Sequence, residues 1–223
     1  MMNDLHTFTF NVFSENTYLL DHGNGEATVF DPGMSSFDER EDFDSFLQSR
    51  GLKLVECLLT HAHLDHVLGA NWIAEKYGLL PRLHDLDIPT WDMAEKSAHV
   101  YGIPIDPLPS RGVPLEGQGS IISCGNYDLE IRLAPGHCLG HVVFVCHEYS
   151  FVIGGDVLFN GSVGRTDLPG GDASTLAKSI KEQLYTLPGN FEVHPGHGPS
   201  TTVGKEKATN PFVNSAGSGM IQG

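Results

Sequence analysis

The sequence predicts an α/β fold, and three observations carry that prediction. Short apolar runs recur along the chain with the period of strands, and segments of helical spacing lie between them. The 26 glycines and 13 prolines among 223 residues supply turns for many short elements, which suits layered sheets and helices better than a helical bundle. A chain of this length can bury one large core, taken as residues 1–213, with the Gly- and Ser-rich stretch 214–223 as a loosely held tail.

The elements follow in order. Thr7 to Phe13 alternates, with Phe8, Phe10 and Val12 on one side, and predicts a half-buried strand. Thr17 to Leu20 and Ala27 to Phe30 predict two more, joined by the turn at His22-Gly23-Asn24-Gly25. Asp31-Pro32-Gly33 reads as a sharp turn. Phe37 to Arg50 places Phe43, Phe46 and Leu47 at helical spacing and stops at Gly51. Leu54 to Leu59 is a buried strand, and Gly69 to Tyr77 a helix ended by Gly78. A helix is expected around Trp91 to Tyr101, then a Pro-rich loop. Tyr127 to Leu133, His141 to Cys146 and Phe151 to Gly154 are strands. Asp172 caps a helix to Leu187 that lines up Leu176, Ile180 and Leu184, and Phe191 to Val193 is a last short strand.

Charge narrows the partners. With 28 acidic and 13 basic residues the net charge is −15, a field that repels phosphate backbones and anionic membrane surfaces. The expectation is a small-molecule substrate, no nucleic acid and no membrane. No basic stretch followed by an apolar run opens the chain, and no stretch approaches the length of a membrane span. Cys57, Cys124, Cys138 and Cys146 fit no zinc spacing and read as reduced, buried thiols of a cytoplasmic protein. The sequence says nothing of oligomeric state.

The chemistry concentrates in Thr60-His61-Ala62-His63-Leu64-Asp65-His66, directly after an apolar strand. Neutral imidazole is the commonest protein metal ligand. His61 and His63 are two apart and project to one side of an extended chain, so one metal can take both. Asp65 and His66, where the chain turns toward a helix, point to a second position. One loop cannot complete a metal site, so further ligands belong at other strand ends. His137, Asp156 and His197 qualify, each after an apolar stretch with glycine beside it. His22, His84, His99 and His147, standing singly, read as surface or structural residues.

This set resembles the metallo-β-lactamase superfamily, whose members carry an HxHxDH motif and later His, Asp and His ligands. The resemblance spans nearly the whole chain. It implies a four-layer αββα sandwich with two divalent metal ions at one edge, zinc first, iron or manganese also compatible with the ligands. Carried over, His61, His63 and His137 bind one metal, Asp65, His66 and His197 the other, and Asp156 bridges them. The activity implied is hydrolysis by a metal-bound hydroxide, with Asp65 also orienting it.

Gly155 to Asp172, with Gly164-Arg165-Thr166-Asp167-Leu168-Pro169-Gly170-Gly171 at its centre, resembles the short bacterial glyoxalase II-like proteins. That branch implies a hydroxyacylglutathione hydrolase cleaving a thioester such as S-lactoylglutathione. Longer glyoxalase II enzymes add a helical domain that helps hold glutathione, and the two dozen or so residues after His197 are too few for one. Arg165 is then the candidate for a substrate carboxylate, against the alternative of an ion pair with Asp167 or Asp172. Persulfide dioxygenases share a Gly-Arg-Thr-Asp stretch and imply another chemistry, a single iron on His61, His137 and Asp156 acting on glutathione persulfide.

Overall fold

A computed structural model describes residues 4–214. The first sheet holds β1 (Leu5–Phe10), β2 (Glu15–Asp21), β3 (Glu26–Phe30) and β4 (Lys53–Leu58) in that order. Its first two junctions are antiparallel. β3 and β4 are parallel, so the chain must cross over between them, which it does through α1 (Phe37–Arg50). Helix α1 starts where it does because Ser36 and Glu39 form a reciprocal capping box, and it stops at Gly51, whose φ of 64° closes the last turn. After β4 come the single turn α2 (Leu64–Val67), α3 (Ala70–Tyr77) and α4 (Ile88–Tyr101).

The second sheet contains β5 (Ile121–Cys124), β6 (Tyr127–Leu133), β7 (Val142–Cys146) and β8 (Phe151–Gly155). The small hairpin β9 (Leu158–Phe159) and β10 (Ser162–Val163) and helix α5 (Ala173–Ser179) follow. Then β11 (Glu192–Pro195) and β12 (Thr201–Thr202) return to the sheet, and α6 (Val203–Thr209) follows them. The spatial order is β12-β11-β8-β7-β6-β5, with β8 and β11 parallel and the other neighbours antiparallel.

Period-two alternation sorts the side chains into layers. Tyr18, Leu20, Phe30 and Leu58 of the first sheet meet Leu129, Ile131, Phe144 and Ile153 of the second in one core between the sheets. The opposite faces are covered by helices. Leu19, Val29 and Cys57 pack under Phe43, Leu47 and Ile73 of α1 and α3, while Val143, Val145 and Val152 pack under Leu176, Ile180 and Val203. The result is the four-layer αββα sandwich. Each fully buried apolar side chain contributes about 1.5–3 kcal/mol, so strands buried on both faces dominate the stability.

Several elements differ from the sequence reading. The first strand runs Leu5–Phe10 and does not continue to Phe13, because Asn11 (φ 54°) and Ser14 (φ 56°) turn the chain. The Asn11 amide bonds the carbonyls of Gly33 and Asp65 and holds that turn, leaving Val12 and Phe13 exposed. The helix expected from Asp172 to Leu187 has Asp172 as its cap, but after Ser179 it widens into a π turn over Ile180–Leu184. Its three apolar residues still reach the core. Strands β5 and β12 and helix α6 carry too few periodic residues to stand out. The expected tail at 214–223 lies outside the described residues apart from Asn214.

Candidate metal centre

All seven histidine and aspartate residues singled out in the sequence meet at one edge of the sandwich. The edge is built from the C-terminal ends of the parallel pairs β3/β4 and β8/β11 and from the loop between β6 and β7. Parallel pairing brings those ends side by side, and cross-sheet hydrogen bonds lock them. Val142 N–H bonds the Thr60 carbonyl at 2.9 Å, and Asn16 N–H bonds the Gly196 carbonyl at 2.7 Å. The Asn16 amide and the Tyr18 hydroxyl both donate to the Pro195 carbonyl.

Three groups of ligand atoms result, each with its atoms within 4.8 Å of one another, and two of them match the sequence reading: His61, His63 and His137, and Asp65, His66 and His197; the third joins the buried Asp31 to His61 and His66. His63 Nδ1 and His137 Nε2 are 2.7 Å apart. His197 Nε2 lies 3.0 Å from Asp65 Oδ2. Asp156 stands between the first two groups. Its Oδ2 is 3.6 Å from His137 Nε2 and 3.5 Å from His197 Nε2, and its Oδ1 is 3.4 Å from His66 Nε2.

Hydrogen bonding sets which nitrogen of each ring is free. A carbonyl or carboxylate oxygen only accepts, so the ring nitrogen facing one carries the proton. His137 Nδ1 donates to the Arg165 carbonyl (2.7 Å), His197 Nδ1 to the Ser14 carbonyl (3.3 Å) and His66 Nδ1 to Asp31 (3.1 Å). The Thr60 hydroxyl donates to Asp31 at 2.6 Å, so it accepts from His61 Nδ1 at 3.1 Å. Four rings therefore turn Nε2 inward. The buried His61 Nε2, His66 Nε2 and Asp156 Oδ1 have no hydrogen-bond partner. Orphaned buried polar atoms are costly, and a pair of cations, one on each of the first two groups with Asp156 between them, would satisfy all three.

The electrostatics agree with that fit. Burial holds the imidazole of His61 far below its ordinary range, with His66 adding to it, and pushes His63 down to about 3. Both are neutral, as ligands must be. Burial also opposes charge on His66 and His197, but Asp156 and Asp65 outweigh it and lift His66 well above its ordinary value and His197 to about 10. Protons on these rings stand where the positive charge of a metal would otherwise balance the two carboxylates.

Four supporting residues went unnoticed in the sequence. Asp31 bonds Thr60 N–H (2.7 Å), the Thr60 hydroxyl and His66, and does so from a left-handed backbone of φ 50°. Its Asp-Pro-Gly setting signalled only a turn. Asp87, fully buried, bonds Ala62 N–H (2.6 Å), Thr90 (2.8 Å) and Gly140 N–H (3.3 Å), tying the His61 loop to the His137 loop. His141 looked like the start of a strand. It stacks on His61 with centroids 4.7 Å apart, and its Nε2 accepts Asp156 N–H at 3.0 Å. Glu15, also fully buried, accepts from Thr17 beneath His66. Of the single histidines, His22 is buried and bonded to Thr28, and His147 pairs with Glu130 at the surface.

A cavity of about 500 Å³ opens directly on the centre. His63, Asp65, His137, Asp156 and His197 form its polar floor, and helix α4 and the 159–170 segment form its walls. Arg165 lies on the wall, but Asp167 takes its guanidinium in a two-pronged pair at 2.7 Å for each bond. The ion pair weighed against substrate binding is thus the arrangement present.

The fold and this cluster define a known class. Residues 10–197 match the Metallo-beta-lactamase superfamily model, and the chain belongs to that superfamily, whose fold binds divalent metals. It is 37% identical over 206 residues to the hydroxyacylglutathione hydrolase GloC of Haemophilus influenzae, covering 91% of this chain and 94% of that one. It is also 37% identical over 203 residues to the probable metallo-hydrolase YqgX of Bacillus subtilis, covering 89% and 92%. Among solved structures, TTHA1623 in a di-iron-bound form superimposes with a TM-score of 0.83 at 41% identity, covering 93% of this chain and 100% of that chain. Among the described residues no helix is long and apolar enough to cross a membrane.

Proposed function

We propose that this protein is a metal-dependent hydrolase that cleaves a thioester such as S-lactoylglutathione. The observation that carries this reading is the set of buried, unpartnered atoms His61 Nε2, His66 Nε2 and Asp156 Oδ1 beside a substrate-sized cavity floored by His63, Asp65, His137, Asp156 and His197. The likeness to a relative named hydroxyacylglutathione hydrolase supports the choice of bond. His61, His63 and His137 would hold one divalent ion, Asp65, His66 and His197 a second, with Asp156 between them. Zinc suits the nitrogen and oxygen ligands, and iron or manganese would fit the same set. Once bound, the ions supply a water of lowered pKa and charge to offset the oxyanion of the attacked carbonyl.

The chain's own groups do the rest. Asp65 lines the cavity and orients the attacking water through its carboxylate. Asp31 keeps the proton of His66 on Nδ1, and the Arg165 carbonyl does the same for His137. Overall, water adds to the carbonyl, the C–S bond breaks, and the products are a carboxylic acid and a free thiol. Four buried, unpaired cysteines support a reducing, cytoplasmic setting.

The test is metal analysis joined to turnover. Purified protein should carry about two ions per chain and release thiol from S-lactoylglutathione. A single iron, oxygen uptake with glutathione persulfide and an intact thioester would replace the hydrolase reading with dioxygenase chemistry on His61, His137 and Asp156.

A further inference from the structure

Away from its polar floor the cavity is an apolar chamber. Phe13, Met93, Tyr101, Leu139, Phe159 and Leu168 line it. Phe13 and Tyr101 stand edge to face at the mouth with ring centroids 6.0 Å apart. Phe159 meets the His197 ring at 6.1 Å, which carries the apolar wall down to the proposed metal position. Four of these side chains are notably open to solvent: Phe13 by 36%, Met93 by 41%, Leu139 by 50% and Tyr101 by 52%. Large apolar groups left open around a concave site mark a surface that a ligand covers.

On the wall, above the proposed ions, lysine and arginine are scarce. All 13 Lys and Arg residues lie within 4–214, and Arg165 is the one that reaches the cavity wall. Asp167 already neutralises it through both guanidinium bonds. Thr90, another polar wall residue, spends its hydroxyl on Asp87. Glutathione carries two carboxylates and one ammonium. Docked against this wall, its carboxylates would lose water and meet no unpaired lysine or arginine, only the Ser97 and Tyr101 hydroxyls, which is unfavourable, and the chain's charge of −15 opposes an anion further.

We infer that the chamber selects thioesters whose body is apolar and uncharged, with an aromatic or branched aliphatic group against Phe13, Met93 and Phe159, over the charged tripeptide of glutathione. The inference rests on the hydrolase reading for its reaction and on the cavity wall for its selectivity.

Three thioesters separate the two parts: the phenylacetyl and acetyl thioesters of N-acetylcysteamine, and S-lactoylglutathione, each with metal-loaded protein. The phenylacetyl probe should exceed both others in kcat/KM by about 10-fold or more, the scale on which an apolar pocket discriminates. Phe13→Ser and Met93→Ser, at partly exposed positions, should each cut the phenylacetyl-to-acetyl ratio several-fold. Asp167→Asn frees Arg165 and should raise kcat/KM for S-lactoylglutathione roughly 3-fold, the range of an exposed ion pair. A preference for S-lactoylglutathione that survives Met93→Ser overturns the apolar selectivity and keeps the hydrolase. Binding of two thioethers without a scissile carbonyl, S-methylglutathione and the 2-phenylethyl thioether of N-acetylcysteamine, gives the converse separation. Tighter binding of the aromatic thioether with no cleavage of any thioester keeps the apolar chamber and removes the hydrolase reading.

Discussion

Asp31→Asn is the most discriminating single change. Asn tolerates the left-handed backbone at this position, so the substitution alters the side-chain chemistry with little strain. The amide oxygen can keep Thr60 N–H, now at 2.7 Å from Asp31 Oδ1. The amide nitrogen then takes the place of Oδ2, which faces the Thr60 hydroxyl at 2.6 Å and His66 Nδ1 at 3.1 Å. Two donors would oppose each other at His66. The ring relieves this by moving its proton to Nε2, the atom needed for the metal. Loss of such a supporting carboxylate costs about 10- to 100-fold in metal affinity, or about 1.4–2.7 kcal/mol. Competition with a chromophoric chelator measures this directly. Titration should show both ions weakened, because the Thr60 hydroxyl, its acceptor gone, turns its donor to His61 Nδ1 and moves that ring's proton to Nε2 as well. Affinity within about twofold of the parent protein at both positions would refute the tautomer reasoning.

Other outcomes follow from the same geometry. Stripping the metals should lower Tm by roughly 10–30 °C, as expected when two ions, each held at about 100–1,000 times its Kd, are removed from a domain of this size; scanning calorimetry with and without chelator checks it. In the metal-free protein, His66 and His197 have folded pKa values above the unfolded 6.5, so their stabilisation is full below about pH 6.5 and that of His197 is lost as pH rises through about 10. Melts of stripped protein should therefore weaken between those limits more than melts of loaded protein, and equal slopes would contradict it. Asp87→Ala leaves Ala62 N–H and Gly140 N–H unpaired and should cost about 2–4 kcal/mol in denaturant unfolding. Gly155→Ala places a methyl group against the Thr60 hydroxyl and 2.7 Å from His141 Nε2, at a φ of 47°. Metal content should fall sharply even where the protein remains soluble.

The sequence disclosed the ligands more readily than their supports, for a physical reason. His61, His63, Asp65 and His66 stand out because polar metal-binding groups follow an apolar strand at close spacing. His137, Asp156 and His197 stand out because each sits beside glycine at the end of another strand. Asp31 and His141 do the same work one step removed, but Asp31 is disguised by Pro32 and Gly33 as a turn residue, and His141 by Val142 to Cys146 as a strand residue. Their roles depend on which atoms of distant segments they face, and no local period encodes that. Helix α1 was legible to the residue because the spacing of Phe43, Phe46 and Leu47 and the terminal Gly51 agree, and the Ser36 cap falls where they place its start. The π turn after Ser179 was not, since Leu176, Ile180 and Leu184 keep helical spacing through it. Arg165 shows the same limit from the other side, since only the structure reveals that Asp167 has already engaged it.

The bonds from Asn16 and Tyr18 to Pro195, and from Val142 to Thr60, act as rivets along a single margin of the two sheets. Between the sheets farther from that margin lies mostly apolar packing, with the Tyr127 hydroxyl bonded to Asp4 and the Thr28 hydroxyl to Cys124 at the opposite margin. Opening of the sandwich should then proceed like a book from that side, where side chains alone make the links, with the binding in the spine. In hydrogen exchange, the amides of Asn16, Val142 and Gly196 would be among the last to trade with solvent. Anything that grips the spine from within stiffens the whole volume.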